Sequence, residues 1–210
     1  MIPDSDVARL RVGTAEELRA RLRDAHYTTY NTLNTIFTGG LVAYLLRRVL
    51  EMPATQRPWL LILATLLVII ACWSGLFRLL ALLRFASRMS DAMISFTCGA
   101  AVYVMVTRLD EGAHAWLQTA SVVSLLGGLG TLNMVRGAST DTFNVYVLDL
   151  FGTDMRRSAW ARLMLAPATF ALAFSPLSAP VLAMLALAGS AIALVIDEVV
   201  WARTVAHSRA

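Results

Sequence analysis

Lysine is absent from this chain of 210 residues, and all 18 basic side chains are arginine. That absence reads first as the codon preference of a GC-rich genome rather than as a device for binding phosphates. Cysteine occurs twice, at Cys72 and Cys98, both within apolar stretches, so no disulfide framework is indicated. Histidine occurs three times, at His26, His114 and His207, scattered outside those stretches, which leaves no metal set and no pair of haem ligands. A phosphate-binding P-loop, a GxSxG elbow and a CxxC pair are all missing. No cofactor and no catalytic residue are therefore expected. Asp141, Asp149 and Asp154 come nearest to an acidic cluster, which a lipid-modifying enzyme would need, but their spacing does not put all three on one helix face.

Charge is also scarce. Charged residues make up 15% of the chain and apolar ones 58%, whereas soluble domains average about 25% and about 45–50%. The net charge of +4 would suggest nucleic acid in a soluble protein, but here the arginines flank apolar runs, where they anchor to lipid headgroups and set orientation. Nucleic acid is accordingly discounted, and the lipid bilayer is the expected surrounding.

About 20 helical residues cross a hydrocarbon layer of about 30 Å. Six stretches qualify, at about 32–46, 59–77, 92–107, 115–135, 163–177 and 180–196. The second, WLLILATLLVIIACWSGLF, runs 19 residues without a charge. The first and fifth are short, one polarised by Asn31, Asn34 and Thr35 and the other broken by Pro167. The expected fold is an all-α, polytopic membrane bundle of about six transmembrane helices preceded by an N-terminal amphipathic helix. Residues 1–31 form a cytoplasmic amphipathic segment, 32–200 the transmembrane domain and 201–210 a cytoplasmic tail. The amphipathic helix rests on a capping box of Thr14 and Glu17, on Leu18, Leu22 and Ala25 at helical spacing, and on Arg19, Arg21, Arg23 and Asp24 opposite. The first span is expected to act as its own insertion signal, with no cleavable signal peptide.

Arginine placement orients the bundle. With the N-terminus inside, the inner segments hold five arginines before the first span, Arg78, Arg84 and Arg88 after the second, Arg136, Arg156, Arg157 and Arg162 after the fourth, and two in the tail. The outer segments hold Arg47, Arg48, Arg57 and Arg108. This bias predicts both termini in the cytoplasm of a bacterial inner membrane. The connection 136–162 is expected to carry a cytoplasmic interfacial helix, started by Ser139, Thr140 and Asp141 and stopped at Gly152, with Arg156 and Arg157 reaching for anionic headgroups.

Candidate functional residues cluster in the fourth span. Gln118, Ser121, Ser124, Thr131 and Asn133 polarise it, and Gly127, Gly128 and Gly130 permit either a broken helix that lines a pore or close helix packing. Asp91, Asp197 and Glu198 stand at the inner edges of spans, with the last two expected to pair with Arg203 or an arginine of the 78–88 region. Cys72 and Cys98 fall at similar depth, as buried structural residues. The leading expectation is a small transporter or channel-like permeation protein, lined by span four and flanked by these acids at its inner mouth. The alternative is a membrane subunit or scaffold docking a cytoplasmic partner through residues 1–30 and 136–162. Small-residue pairs such as Ala71 and Gly75, or Ser95 and Gly99, further suggest a tight bundle that associates with itself or with a membrane partner.

Overall fold

The computed structural model describes residues 15–83 and 89–207, and within them the chain is all helix. Six long helices succeed one another: α1 (Ala15–Glu51), α2 (Trp59–Leu82), α3 (Met89–Thr107), α4 (Ala113–Ala138), α5 (Val145–Leu172) and α6 (Ala179–His207). No strand occurs among the described residues. Four helices have segments long and apolar enough to cross a membrane: Trp59–Leu82, Ser90–Thr107, Ala113–Ala138 and Ala179–Val199. Large apolar side chains such as Ile36, Met93, Met164, Phe174 and Ile192 face outward. Water would not tolerate so continuous an apolar exterior, whereas lipid does. The chain is a helical membrane protein.

Two helices run continuously across expected boundaries. α1 continues through residues 31 and 32 without a break; the side chains of the proposed amphipathic face lie outside the described ones. The segment 136–162 is likewise no loop. α4 ends at Ala138, a short turn intervenes, and α5 runs unbroken from Val145 to Leu172. Gly152 does not stop it, because a glycine stop needs a left-handed residue, and Gly112 is the glycine with positive φ among the described residues. Buried as it is, Gly152 keeps helical geometry at a cost of about 1 kcal/mol against alanine, offset by packing. Pro167 also sits inside α5 rather than ending it.

Elsewhere the punctuation follows simple chemistry. Pro53 and Pro58 bracket the α1–α2 link, and Pro180 falls in the first turn of α6, where a missing N–H costs nothing. Gly112, at φ 92°, supplies the backbone turn before α4. The α4–α5 turn is closed by Asn144, whose fully buried side chain donates to the carbonyl of Ala138 at 3.1 Å. Links of five to seven residues make consecutive helices antiparallel. The most extensive packing joins α4 to α5, followed by α3 with α4, α2 with α6 and α1 with α2.

The main core gathers Leu41 and Leu45 from α1, Leu61 and Ile69 from α2, Val102 and Met105 from α3, Trp116 from α4 and Leu182 from α6. Its polar tie is the Trp116 indole N–H donating to Thr65 Oγ1 at 2.8 Å, while the Thr65 hydroxyl donates to the carbonyl of Leu61. α5 and α6, although consecutive, touch little. A crevice of about 490 Å³ opens between them, walled by Leu165, Ala168 and Leu172 on one side and Leu185, Ala186 and Gly189 on the other.

Candidate functional site

Four charged side chains meet where α2, α5 and α6 converge. Arg162 of α5 donates to an Asp197 carboxylate oxygen of α6 at 2.6 Å. Arg78 of α2 donates to the backbone carbonyl of Asp197 at 2.8 Å and forms an ion pair with Glu198. Arg78 and Asp197 are each about one-seventh exposed, and Arg162 under one-third. Burial at that level makes an unpaired charge costly, so the cluster holds together as a balanced set of two guanidiniums and two carboxylates.

Of the two acids expected to pair with an arginine of the 78–88 region or with Arg203, Glu198 pairs with Arg78, whereas the Asp197 carboxylate pairs with Arg162; Arg84 and Arg88, and the side chain of Arg203, lie outside the described residues. Arg162 is a departure. Counted by its sequence position as part of an inner loop, it stands well inside α5, beside glycine surfaces of two other helices. A Cβ on Gly75 would lie 3.6 Å from its guanidinium, and one on Gly127 would lie 3.7 Å from it. A Cβ at either glycine would therefore rest in ordinary contact with the Arg162 side chain. Nothing in local periodicity marks Arg162; the signal available was the lack of any proline between residues 145 and 166, which allows one long helix.

Arg162 forms a common wall of two cavities. One, of about 80 Å³, also touches Arg78, Asp154, Ser158 and Asp197. The other, the central cavity of about 110 Å³, lies among α1, α2, α3 and α4 and is bordered by Asn34, Cys72, Cys98 and Thr131. Gly75, Leu79 and Thr131 line both. A third, of about 170 Å³, shares Asn34, Phe37, Leu76 and Ser95 with the central one and is lined by Tyr30 and Phe96 beside α1 and α3.

The polar residues of α4 do not share one face. Thr131 reaches both cavities beside Arg162, with its hydroxyl bonded back to the carbonyl of Gly127. Ser124 borders the α5–α6 crevice instead. Ser121 is buried, donating to the carbonyl of Gln118, and Gln118 accepts a long 3.5 Å contact from Arg108 at the far end of the helix. Asn133 donates to Asp91 at 2.5 Å and to Ser90 at 3.1 Å, tying α4 to the first turn of α3. Asp91, which is 2% exposed, is thus enclosed rather than open at a mouth. Acid in a first helical turn is also favoured by the helix dipole.

α4 is not broken at its glycines. It continues through Gly127, Gly128 and Gly130. Gly128 is pressed against α5, where an added Cβ would come within 2.9 Å of the Ala159 carbonyl and 2.8 Å of Leu163. Close packing, not a broken helix, is what this cluster provides.

Arg156 and Arg157 are exposed on α5, and Arg157 pairs with Asp154 at 3.6 Å. Asp149 is exposed and Asp141 lies in the α4–α5 turn, so the three acids do not converge. No group of three metal-ligating side chains occurs among the described residues. At the other end of the bundle, Arg48 bridges α1 to Asp110 at 2.8 Å, and the neighbouring Arg47 holds the Glu51 carboxyl below its usual range through a 2.8 Å hydrogen bond. Comparison with protein-family models, curated proteins and solved structures finds no match to this chain.

Proposed function

We propose that the chain is a small transporter or channel-like permeation protein whose path runs through the joined cavities and whose gate is the Arg162–Asp197 pair. The observation that supports this most is that Arg162, with Gly75, Leu79 and Thr131, lines both the central cavity and the one beside Asp154, and is the charged member of that shared wall. Ionisable groups within a membrane bundle commonly mark solute or ion paths. Cavities of about 80 and 110 Å³ suit small solutes or ions, since drug-sized ligands occupy about 300–1,000 Å³. Thr131, which borders both cavities, replaces Gln118 as the polar lining residue of α4 in this reading.

The same proposal has all six helices crossing a bacterial inner membrane with both ends cytoplasmic. α1 and α5 are less apolar, but α5 packs along α4 and α1 along α2, both of them apolar enough to span.

Solute and ion leak from liposomes containing the purified protein tests the proposal. Arg162→Ala should raise the leak, Thr131→Leu should suppress it, and Gln118→Leu should leave it unchanged. Tight vesicles around a folded protein and around folded Arg162→Ala would refute permeation and favour a membrane subunit that docks a partner.

A further inference from the structure

Two thiols lie in the central cavity and have no part in the gate. Cys72 of α2 and Cys98 of α3 both line it and pack against the same buried core. Both are free, partly buried, and border the same cavity of about 110 Å³. The chain has only these two cysteines, and the fold brings them together from consecutive antiparallel helices that otherwise touch sparsely. The guanidinium of Arg162 borders the same space. A nearby positive charge is what a thiolate, the reactive form of cysteine, requires.

Access bears on the partner. The cavity of about 170 Å³ beside α1 and α3 joins the central one through Asn34, Phe37, Leu76 and Ser95, and its walls are otherwise mostly apolar and aromatic. A charged, water-soluble disulfide such as oxidised glutathione is too large and too polar for that approach. An apolar two-electron acceptor dissolved in the bilayer is suited to it.

We infer that Cys72 and Cys98 form a redox-active dithiol that closes to a disulfide when a lipid-soluble quinone reaches the central cavity. Two S–H bonds break and one S–S bond forms. The two electrons and two protons pass to the quinone, which leaves as hydroquinone. Closure ties α2 to α3 across the cavity and takes up space beside Arg162.

The test uses the full chain in liposomes and tetramethylbenzoquinone, whose substituted ring carbons resist direct thiol addition. Free thiols are counted by maleimide alkylation after denaturation, and intact mass is recorded alongside. The expected result is loss of both thiols with a mass decrease of two hydrogens, one hydroquinone formed per disulfide, and full reversal by dithiothreitol. Cys72→Ser and Cys98→Ser should each retain their remaining thiol under the same treatment, as monomers. Wild-type protein that keeps both thiols, or that loses them only as disulfide-linked dimers, overturns the inference, and so does closure by a water-soluble azodicarboxamide but not by the quinone. Because the readout is thiol chemistry, it is independent of whether the protein conducts solute.

Discussion

Arg162 on α5 and Asp197 on α6 meet at 2.6 Å across two helices whose remaining contact is slight. The pair therefore does much of the joining between them, and Arg78 draws α2 into the same junction through the backbone of Asp197. Removing either partner leaves the other charge poorly solvated, whereas removing both does not.

Arg162→Met should accordingly destabilise the protein by about 2–4 kcal/mol, somewhat less than the about 3–5 kcal/mol of a fully buried pair because Arg162 is partly exposed. Arg162→Met combined with Asp197→Asn should recover more than half of that loss. Thermal unfolding in detergent, followed by circular dichroism, reads both. A double variant no more stable than the single one would show that the pair is not coupled.

Gly128→Ala should cost about 1–3 kcal/mol, since its Cβ would press on the backbone carbonyl of Ala159 and on Leu163, and the α4–α5 interface must part to admit it. Gly127→Ala should be much milder, because the added atom would sit at ordinary contact distance from Arg162. Equal losses in the two variants would remove close packing as the role of Gly128.

Asn133→Leu leaves the buried Asp91 without a donor from α4 and should lower stability by about 1.5–3 kcal/mol, the range for hydrogen bonds to charged groups. Trp116→Phe deletes the indole donor to Thr65 and should cost about 1 kcal/mol beyond the loss of ring area. Unfolding midpoints of both variants, compared at matched detergent, decide the matter; an unchanged midpoint for Asn133→Leu would mean that Asp91 is satisfied without it.

Topology can be read by labelling single cysteines placed in a Cys72→Ser, Cys98→Ser background. With six crossings and cytoplasmic termini, Thr55→Cys in the α1–α2 link and Ser178→Cys before α6 should react with an impermeant maleimide added outside intact cells. Thr140→Cys in the α4–α5 turn should react only after permeabilisation. External labelling at Thr140 would invert or reduce the proposed set of spans.

Local composition was enough to settle the class of this protein. Runs such as Trp59–Phe77 carry no charge over a length that crosses a bilayer, and backbone groups in lipid must be satisfied within the segment, so helices were dictated residue by residue. Asp197 and Glu198 at a helix edge announced the need for basic partners in the same way. Which arginine answered was beyond local reasoning. Arg162 was indistinguishable in sequence from its loop-like neighbours Arg156 and Arg157, and became the partly buried partner of Asp197 only because Gly152 stayed helical under tertiary packing and α5 ran on to Leu172. The polar stripe of α4 was visible, but its division among a crevice, a cavity and the α3 cap depends on the azimuth of each residue against several helices. The similar depth of Cys72 and Cys98 was legible in the sequence, but that both turn toward one cavity depended on the rotation of α2 and α3. Periodicity and hydropathy are properties of one segment, whereas contacts between helices are chosen by side-chain volume and charge across the whole bundle, and that choice is made only in three dimensions.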